Sequence, residues 1–456
     1  MNIFFIFPSI KLDLTVNHGI ASLCGIIKEK GYAVDLYHPD KINNSELIME
    51  FRKKKYDLCF VSSVTNQWPY ALEFIKSLRS ISDLPVIAGG HHVTHYPNIL
   101  EEHDDLDGIC IGEGDIALGE LLDKLEKGED YHHINNMWFR RRKDGKLIKN
   151  EIGDLIEDLD KLPLPDYSVF SRESVLNYPA LMFSRGCPYS CTYCCNNSLK
   201  KLYKGKGKYM RMKSVATAVR ETAAFIKTYD PPMLNFDDDT FIKNREWLYS
   251  FLDEYRKITT IPFNCNTRPE TVDEDLCKRL ASANCNIISI GVESGNEELR
   301  KKILKRHMSN AMIERSFELI KNSGIKTSSF NMVGIPDETY EDYMDTVKLN
   351  RRIDPDFMQI SIFYPYKGTE LGDYARAQGY VRSDGNFSHS YFSRSILSME
   401  RFPEWKIKCA YLFFHFNVIR RRSPGKAVYY LLRYNVLKNA FLKKSIKTIM
   451  NIFAQK

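Results

Sequence analysis

The chain has 456 residues, 43% of them hydrophobic and 27% charged, with a net charge of +7. That length exceeds what one core organises, and the composition excludes wholesale disorder. Eleven cysteines, an odd number with one tight cluster, exclude a disulfide-built secreted scaffold. Thirteen Lys and Arg against one Glu between residues 401 and 456 give that stretch +12 and leave −5 for the rest, which speaks against a general nucleic-acid-binding protein.

The opening MNIFFIFPSI lacks the basic start and cleavage site of a signal peptide and reads as a buried strand. It is followed by GIASLCGIIKEKGY, in which Ile20, Leu23, Cys24 and Ile27 share one helical face. Apolar runs LCFVSSV, PVIAGG and GICIGEG then alternate with helical patterns such as ALEFIKSLRS and ALGELLDKLEKG. The alternation predicts a doubly wound, Rossmann-like α/β domain over residues 1–130. Ligands of such sheets sit beyond the carboxyl ends of the strands. Here those ends are Ser62 and Ser63, then Gly89, Gly90, His92 and Thr94, then Gly112, Glu113 and Gly114. MWFRRRKDGKLIKN reads as a hairpin turning at Asp144-Gly145 and LPLPDYS as a proline-stiffened linker, which together fill residues 131–177.

A second alternating series runs through ALMFSRG, MLNFDDD, FNCNTR, IISIGVES, TSSFNMVG and FMQISIFYP. Six βα-type repeats predict a partial (βα)6 barrel of the TIM type over residues 178–385, followed by a basic helical region over 386–456. The longest apolar tract there, CAYLFFHFNVI, is too short to cross a membrane. Further on, Leu442, Ile446, Ile449, Met450 and Phe453 share a helical face with Lys443, Lys444 and Lys447 elsewhere. Such a helix packs on the barrel with its lysines in water, or lies on an anionic bilayer.

SRGCPYSCTYCCNN, residues 184–197, follows the first barrel strand, where parallel barrels keep their chemistry. Cys187, Cys191 and Cys194, spaced C-x3-C-x2-C, suffice for three irons of a four-iron cluster and leave the fourth iron open. A zinc knob would use the same thiols, but no second hook or histidine pair follows. Cys195 projects differently from Cys194 and reads as a packed thiol, as do Cys24, Cys59, Cys110, Cys265, Cys277, Cys285 and Cys409.

The cysteine triad, its RGCP lead-in and Tyr193 before the last ligand resemble the radical S-adenosylmethionine (SAM) superfamily, over about residues 178–370. The resemblance implies a [4Fe–4S] cluster on Cys187, Cys191 and Cys194 whose open iron chelates SAM, cleaved to a 5′-deoxyadenosyl radical. It implies that backbone around Tyr193 meets the adenine, with Glu293 and Ser294 of GVES near the cosubstrate and Gly334 and Ile335 of VGIP lining the adenine. The second strand reads FDDDTF where the family has Gly-Gly-Glu for the methionine amine. Asp237 to Asp239, centred on Asp238, are the substitutes.

The domain ahead of the barrel is similar to the cobalamin-binding domain of one subgroup, through Ser62-Ser63, GGHHVT and GEGD, over about residues 1–125. The D-x-H-x-x-G motif is absent, since Thr15 stands where the histidine would be, so His18 is not read as a cobalt ligand. His91 and His92 read as polar loop residues. With both cofactors, the resemblance implies methyl transfer from methylcobalamin to an unactivated carbon or phosphorus after hydrogen abstraction. Alternatives are a non-methylating rearrangement, cyclisation or oxidation, a methylthiotransferase, and a non-catalytic corrinoid-binding protein. The expected partners are a small-molecule or lipid-like substrate and an electron donor such as flavodoxin or ferredoxin, with no nucleic acid. The expected location is the cytoplasm, with peripheral contact to the inner membrane surface through the basic C-terminal helix.

Overall fold

The computed structural model describes residues 1–10, 15–382, 392 and 394–436. The amphipathic stretch Leu442 to Phe453 lies outside these residues. Five strands, β1 (Asn2–Ile6), β2 (Ala33–Tyr37), β3 (Leu58–Ser62), β4 (Val86–Gly89) and β5 (Gly108–Cys110), pair in parallel in the order β2-β1-β3-β4-β5. Strands rich in Ile, Phe and Val, such as β1 and β3, are buried almost throughout, because helices cover both faces. The strand order reverses at β1 and β3, which opens a crevice at their carboxyl ends.

Two expectations about the connector change. The hairpin forms as β6 (Met137–Arg140) and β7 (Leu147–Lys149), but β6 pairs antiparallel with β5, so the first sheet has seven strands and runs past residue 130 to Lys149. Phe139 and Met137 are buried in the core of that sheet, which is why the hairpin cannot stand apart from it. The linker is likewise a packed strap and no free spacer. Asp166 N–H donates to the Ala21 carbonyl at 2.8 Å, and Tyr167 is buried. Gly25 of the helix His18–Glu29 lets it approach: a Cβ there would stand 2.4 Å from the Leu164 carbonyl oxygen.

The second body is a six-stranded, all-parallel sheet in the order β15-β14-β13-β12-β11-β8. Its strands are β8 (Ala180–Leu181), β11 (Leu234–Phe236), β12 (Phe263–Thr267), β13 (Cys285–Glu293), β14 (Lys326–Val333) and β15 (Phe357–Ile362). A short antiparallel ribbon, β9 (Ser184–Arg185) with β10 (Arg211–Met212), brackets the cysteine loop. One apolar cluster runs from Ile3 and Phe5 through Tyr167 and Phe170 to Phe183 and Phe236, so the two sheets share a core.

The C-terminal region packs as part of the barrel wall. The helix Glu404–Ile419 lies on β15 and on the helix Tyr340–Ile353, with the Tyr343 hydroxyl donating to the Ala410 carbonyl at 2.8 Å. Cys24, Cys59, Cys265, Cys277 and Cys285 are buried as expected. Cys110 is only half-buried, and Cys409 is exposed on the outer side of that helix.

Glycine to alanine inside an exposed helix stabilises by about 1 kcal/mol. Gly25→Ala should do the reverse, lowering stability by about 1–3 kcal/mol in denaturant melts because the backbone of Leu164 has to move.

Candidate cofactor site between the two sheets

The carboxyl ends of both sheets face one cavity of about 450 Å3. The first domain contributes Ser62, Ser63, Gly90, His91, Thr94, Gly112, Glu113 and Gly114; the barrel contributes Arg185, Gly186, Cys195, Asn196, Tyr209 and Asp239. Gly90 and Gly112 have φ of 91° and 79°, and a Cβ at Gly90 would lie 2.8 Å from the Ser63 carbonyl oxygen. Backbone therefore forms that wall, as close approach to a large planar ligand requires. Ser63 Oγ is buried against the cavity with no hydrogen-bond partner, which suits an absent polar ligand. Thr94 Oγ1 fixes the turn by accepting from Gly112 N–H at 2.9 Å.

Not every residue expected there is there. Gly89 sits within β4 against Cys110. His92 is buried, stacked on Trp68 with ring centroids 5.1 Å apart and Nδ1 3.3 Å from Thr65 Oγ1, and burial lowers its pKa to about 4. Consecutive helical residues project about 100° apart, and of the pair only His91 reaches the cavity. Glu113 lines the cavity, but its carboxylate is committed to the barrel. Arg185 Nη1 donates to Glu113 Oε2 at 3.0 Å and to Asp115 Oδ2 at 2.7 Å, and Arg211 binds both Glu113 oxygens. Ser22 completes the set by donating to Asp115 Oδ1 at 2.9 Å. Asp115 is buried at the start of the helix Asp115–Lys127. Desolvation alone would raise its carboxyl, but the Arg185 charge together with hydrogen bonds from Arg185 and Ser22 holds it below the usual range. Tyr203 OH accepts from Glu113 N–H at 2.6 Å, and His95 Nε2 meets Ser198 Oγ at 2.7 Å. Sequence reading missed Arg185, Arg211 and Tyr203, since nothing in local spacing marks a partner in another domain.

Cys187, Cys191 and Cys194 lie on one loop running from β9 to the helix Cys195–Leu202. Among the described residues no three His, Cys, Asp or Glu side chains converge tightly enough to hold a single metal ion. The triad's fit to a cluster therefore rests on donor chemistry and surroundings. Cys191 Sγ is approached by two buried guanidiniums, Arg268 Nη1 at 3.6 Å and Arg306 Nη1 at 3.8 Å, a setting suited to a thiolate. Cys187 Sγ lies 4.0 Å from Thr240 Oγ1, and burial raises its thiol. A hydrogen bond shared with Cys195, together with burial, raises the Cys194 thiol. Cys195 is not a packed thiol: as the first residue of its helix it lines the cavity.

The acidic run divides by direction. Asp238, the residue expected to meet the methionine amine, is buried and accepts from Ser184 Oγ and, at 3.4 Å, from Phe183 N–H; its carboxyl is raised by burial. Its two oxygens tie β11 to β9. Asp237 accepts from Tyr178 OH at 2.7 Å and faces His18 Nε2 at 3.5 Å, while Asp239 is exposed in the cavity beside Cys195. The cavity-facing carboxylate is thus Asp239.

At the end of β13, Glu293 has φ 64° and bends over Gly291, where a Cβ would stand 2.6 Å from its Oε1. Its carboxyl is raised by burial, against the pull of Arg306 and a hydrogen bond from Tyr193. Arg306 Nη1 also reaches Tyr193 OH at 3.3 Å, so Tyr193, Glu293, Arg306 and Cys191 form one cluster. Ser294 is fully buried. Its Oγ accepts from Asn296 N–H at 3.2 Å, and its carbonyl accepts from Arg300, so it shapes the turn and does not face the cavity. Gly334 (φ 77°) and Ile335 donate their N–H groups to Glu338 Oε2 at 2.6 and 3.1 Å. The Ile335 side chain is core, and Glu338 Oε1 is buried without a partner.

Residues 181–349 match the family model of the radical SAM superfamily, and residues 12–122 that of the B12 binding domain. The chain thus carries a B12-binding domain followed by a radical SAM domain. It is 27% identical to an uncharacterized methyltransferase of Pyrococcus horikoshii, over 79% of this chain and 78% of that one. It is 25% identical to the anaerobic magnesium-protoporphyrin IX monomethyl ester cyclase of Rubrivivax gelatinosus, over 77% of this chain and 65% of the cyclase. The solved structure of the radical SAM methyltransferase TsrM from Kitasatospora setae superposes with a TM-score of 0.68 at 18% identity, covering 83% of this chain and 77% of that chain. The radical SAM domain implies a [4Fe–4S] cluster and SAM, and the B12-binding domain implies cobalamin.

Arg185→Met should strand the Asp115 carboxylate and destabilise the fold by about 3–5 kcal/mol, and Asp115→Asn in the same chain should restore much of that, as read in urea titrations. Glu338 supplies a pH test. Burial pushes its carboxyl up to about 8, so between roughly pH 4.5 and 8 the unfolded chain releases a proton that the folded chain keeps, and stability falls as pH rises. Glu338→Gln keeps an acceptor for both N–H groups and should flatten the fall in Tm across that window.

Proposed function

We propose that the chain is a cobalamin-dependent radical SAM methyltransferase that places a methyl group on an unactivated carbon, or a phosphorus, of a small-molecule substrate. The observation that carries the reading is one cavity lined by the B12-type sheet edge and by Arg185, Gly186 and Cys195, which bracket the cysteine triad. When bound, the cluster with SAM supplies a 5′-deoxyadenosyl radical and the corrinoid supplies the methyl group.

Cys187, Cys191 and Cys194 are assigned to the cluster, with Arg268 and Arg306 beside Cys191. Asp239 takes the methionine amine, the role first assigned to Asp238. Glu293 and Tyr193, aligned by Arg306, face the cosubstrate. The loop Gly334-Ile335, clamped by Glu338, presents its backbone to the adenine. Ser62, Ser63, Gly90, Thr94, Gly112 and Gly114 hold the corrinoid, Ser63 by its unpaired hydroxyl. The shared core and the Arg185 network keep the two cofactors opposed and exclude water between them. Reduction comes from an external donor of the flavodoxin or ferredoxin class.

Similarity to the cyclase supports a second reading, a cobalamin-dependent radical reaction without methyl transfer. The two differ in what SAM becomes. Protein purified without oxygen from cobalamin-fed cells and reconstituted should hold about four irons and one corrinoid per chain. Reduced, it should release both 5′-deoxyadenosine and S-adenosylhomocysteine. 5′-Deoxyadenosine alone selects the second reading, and zinc in place of iron removes both. Cys187→Ala, Cys191→Ala and Cys194→Ala should each lose iron while retaining corrinoid, and Cys195→Ala should keep both.

A further inference from the structure

The helix Glu404–Ile419 is apolar on two opposite sides. Ile407, Ala410, Phe414 and Val418 face the barrel and are buried. On the other side Trp405, Cys409 and Phe413, at spacings of four, form a second stripe, with Trp405 64% and Phe413 40% exposed. Val428, on the adjoining helix Pro424–Val436, is also 47% exposed. A solvated helix normally turns charge outward on this side, so the outward stripe requires a partner.

Charge identifies that partner. Lys406 and Lys408 flank the stripe, Lys406 with its Nζ 5.6 Å from the Trp405 ring centroid. Arg420, Arg421 and Lys426 stand exposed at its end, with no carboxylate in ion-pair contact among the described residues. Arg422 is paired with Asp354. The only acid between Arg401 and Lys426 is Glu404, which Arg382 and Arg394 already neutralise. A second copy of this surface would repel it. Residues 437–456 carry five lysines and no acid, so covering the stripe with this chain's own tail would place like charges together. Duplex nucleic acid would satisfy the cations but leave Trp405 and Phe413 in water.

We propose that the outer face of Glu404–Ile419, with Arg420, Arg421 and Lys426, docks on an anionic lipid bilayer, Trp405 and Phe413 entering the interface and the cations meeting headgroups. The docking surface is independent of the reaction assigned above, and its residues lie outside the cofactor cavity.

The test is flotation of the full, cluster-loaded chain with phosphatidylcholine vesicles, with and without phosphatidylglycerol. The chain should float only with the anionic vesicles, and less so as salt rises. Trp405→Glu with Phe413→Glu should cut partitioning by at least about tenfold, and Trp405→Phe should retain it. Arg420→Gln and Arg421→Gln should each cost about fivefold. Iron content unchanged in these variants shows that the barrel still folds. Removing residues 437–456 should leave most of the binding. The proposal fails if the Glu variants still float, if binding disappears with residues 437–456, or if it appears only after their removal, which would mark the tail as occupant. Retention on polyuridylate that survives Trp405→Glu with Phe413→Glu, without flotation, would mark a nucleic-acid surface and overturn it. Concentration-dependent dimerisation lost in the same variants, without flotation, would do so for a second copy.

Discussion

A buried ionic network between two domains is what the rest of the structure depends on. Arg185, two residues before the first cysteine of the triad, reaches out of the barrel to Glu113 and Asp115, and Arg211 closes the set from the partner strand of the ribbon. Such a network contributes little net stability, since desolvating four charged groups offsets most of the attraction. Its value is geometric. A misaligned pair would leave buried charge uncompensated, so only one relative placement of the two sheet edges is tolerated. That placement makes one cavity out of two strand ends, the arrangement that lets two cofactors act on one substrate.

The same economy appears around the cysteines. Arg306 touches Cys191, Tyr193 and the carbonyl of Gly291, and lies beside Glu293, so one guanidinium links the cysteine loop to the end of β13. Arg268 reaches Cys191 while its guanidinium lies 3.6 Å from the Tyr189 ring centroid. Were a cluster held on Cys191, these cationic donors to its sulfur would favour the reduced form. Glu338 does the analogous work for backbone, folding Gly334 and Ile335 inward with two accepted N–H groups. Both devices place a costly buried polar group where a loop needs a fixed shape, a charged guanidinium at Arg306 and a carboxyl held protonated by burial at Glu338.

Periodicity and local spacing were enough for much of this protein. Alternating apolar runs and helical faces marked both parallel sheets, because burial on both sides of a strand imposes its own composition. Three cysteines within eight residues were legible because a loop that short keeps its thiols near one another whatever the fold. Gly90 of AGG and Gly112 of GEG were legible because these strand-end turns need positive φ. Less was visible where one residue had to be chosen among alike neighbours. Asp238 and Asp239 differ by one position but point to opposite sides of a tight turn, and the sequence shows only three acids in a row. His91 and His92 divide in the same way.

The chain's sequence by itself determined element types, their order and the closeness of the three cysteines, while the class of cofactor came from motifs that resemble the radical SAM superfamily. Each of these is fixed by residues close in sequence. Only tertiary structure decided that the hairpin completes the first sheet, that the linker is packed under Gly25, that Glu113 binds arginines 72 and 98 residues away, and that Asp239 is the acid facing the cavity. A pattern of apolar residues reports that a face is buried but not what it is buried against. Pairing between distant charges is set by how whole sheets dock, and no local propensity encodes it.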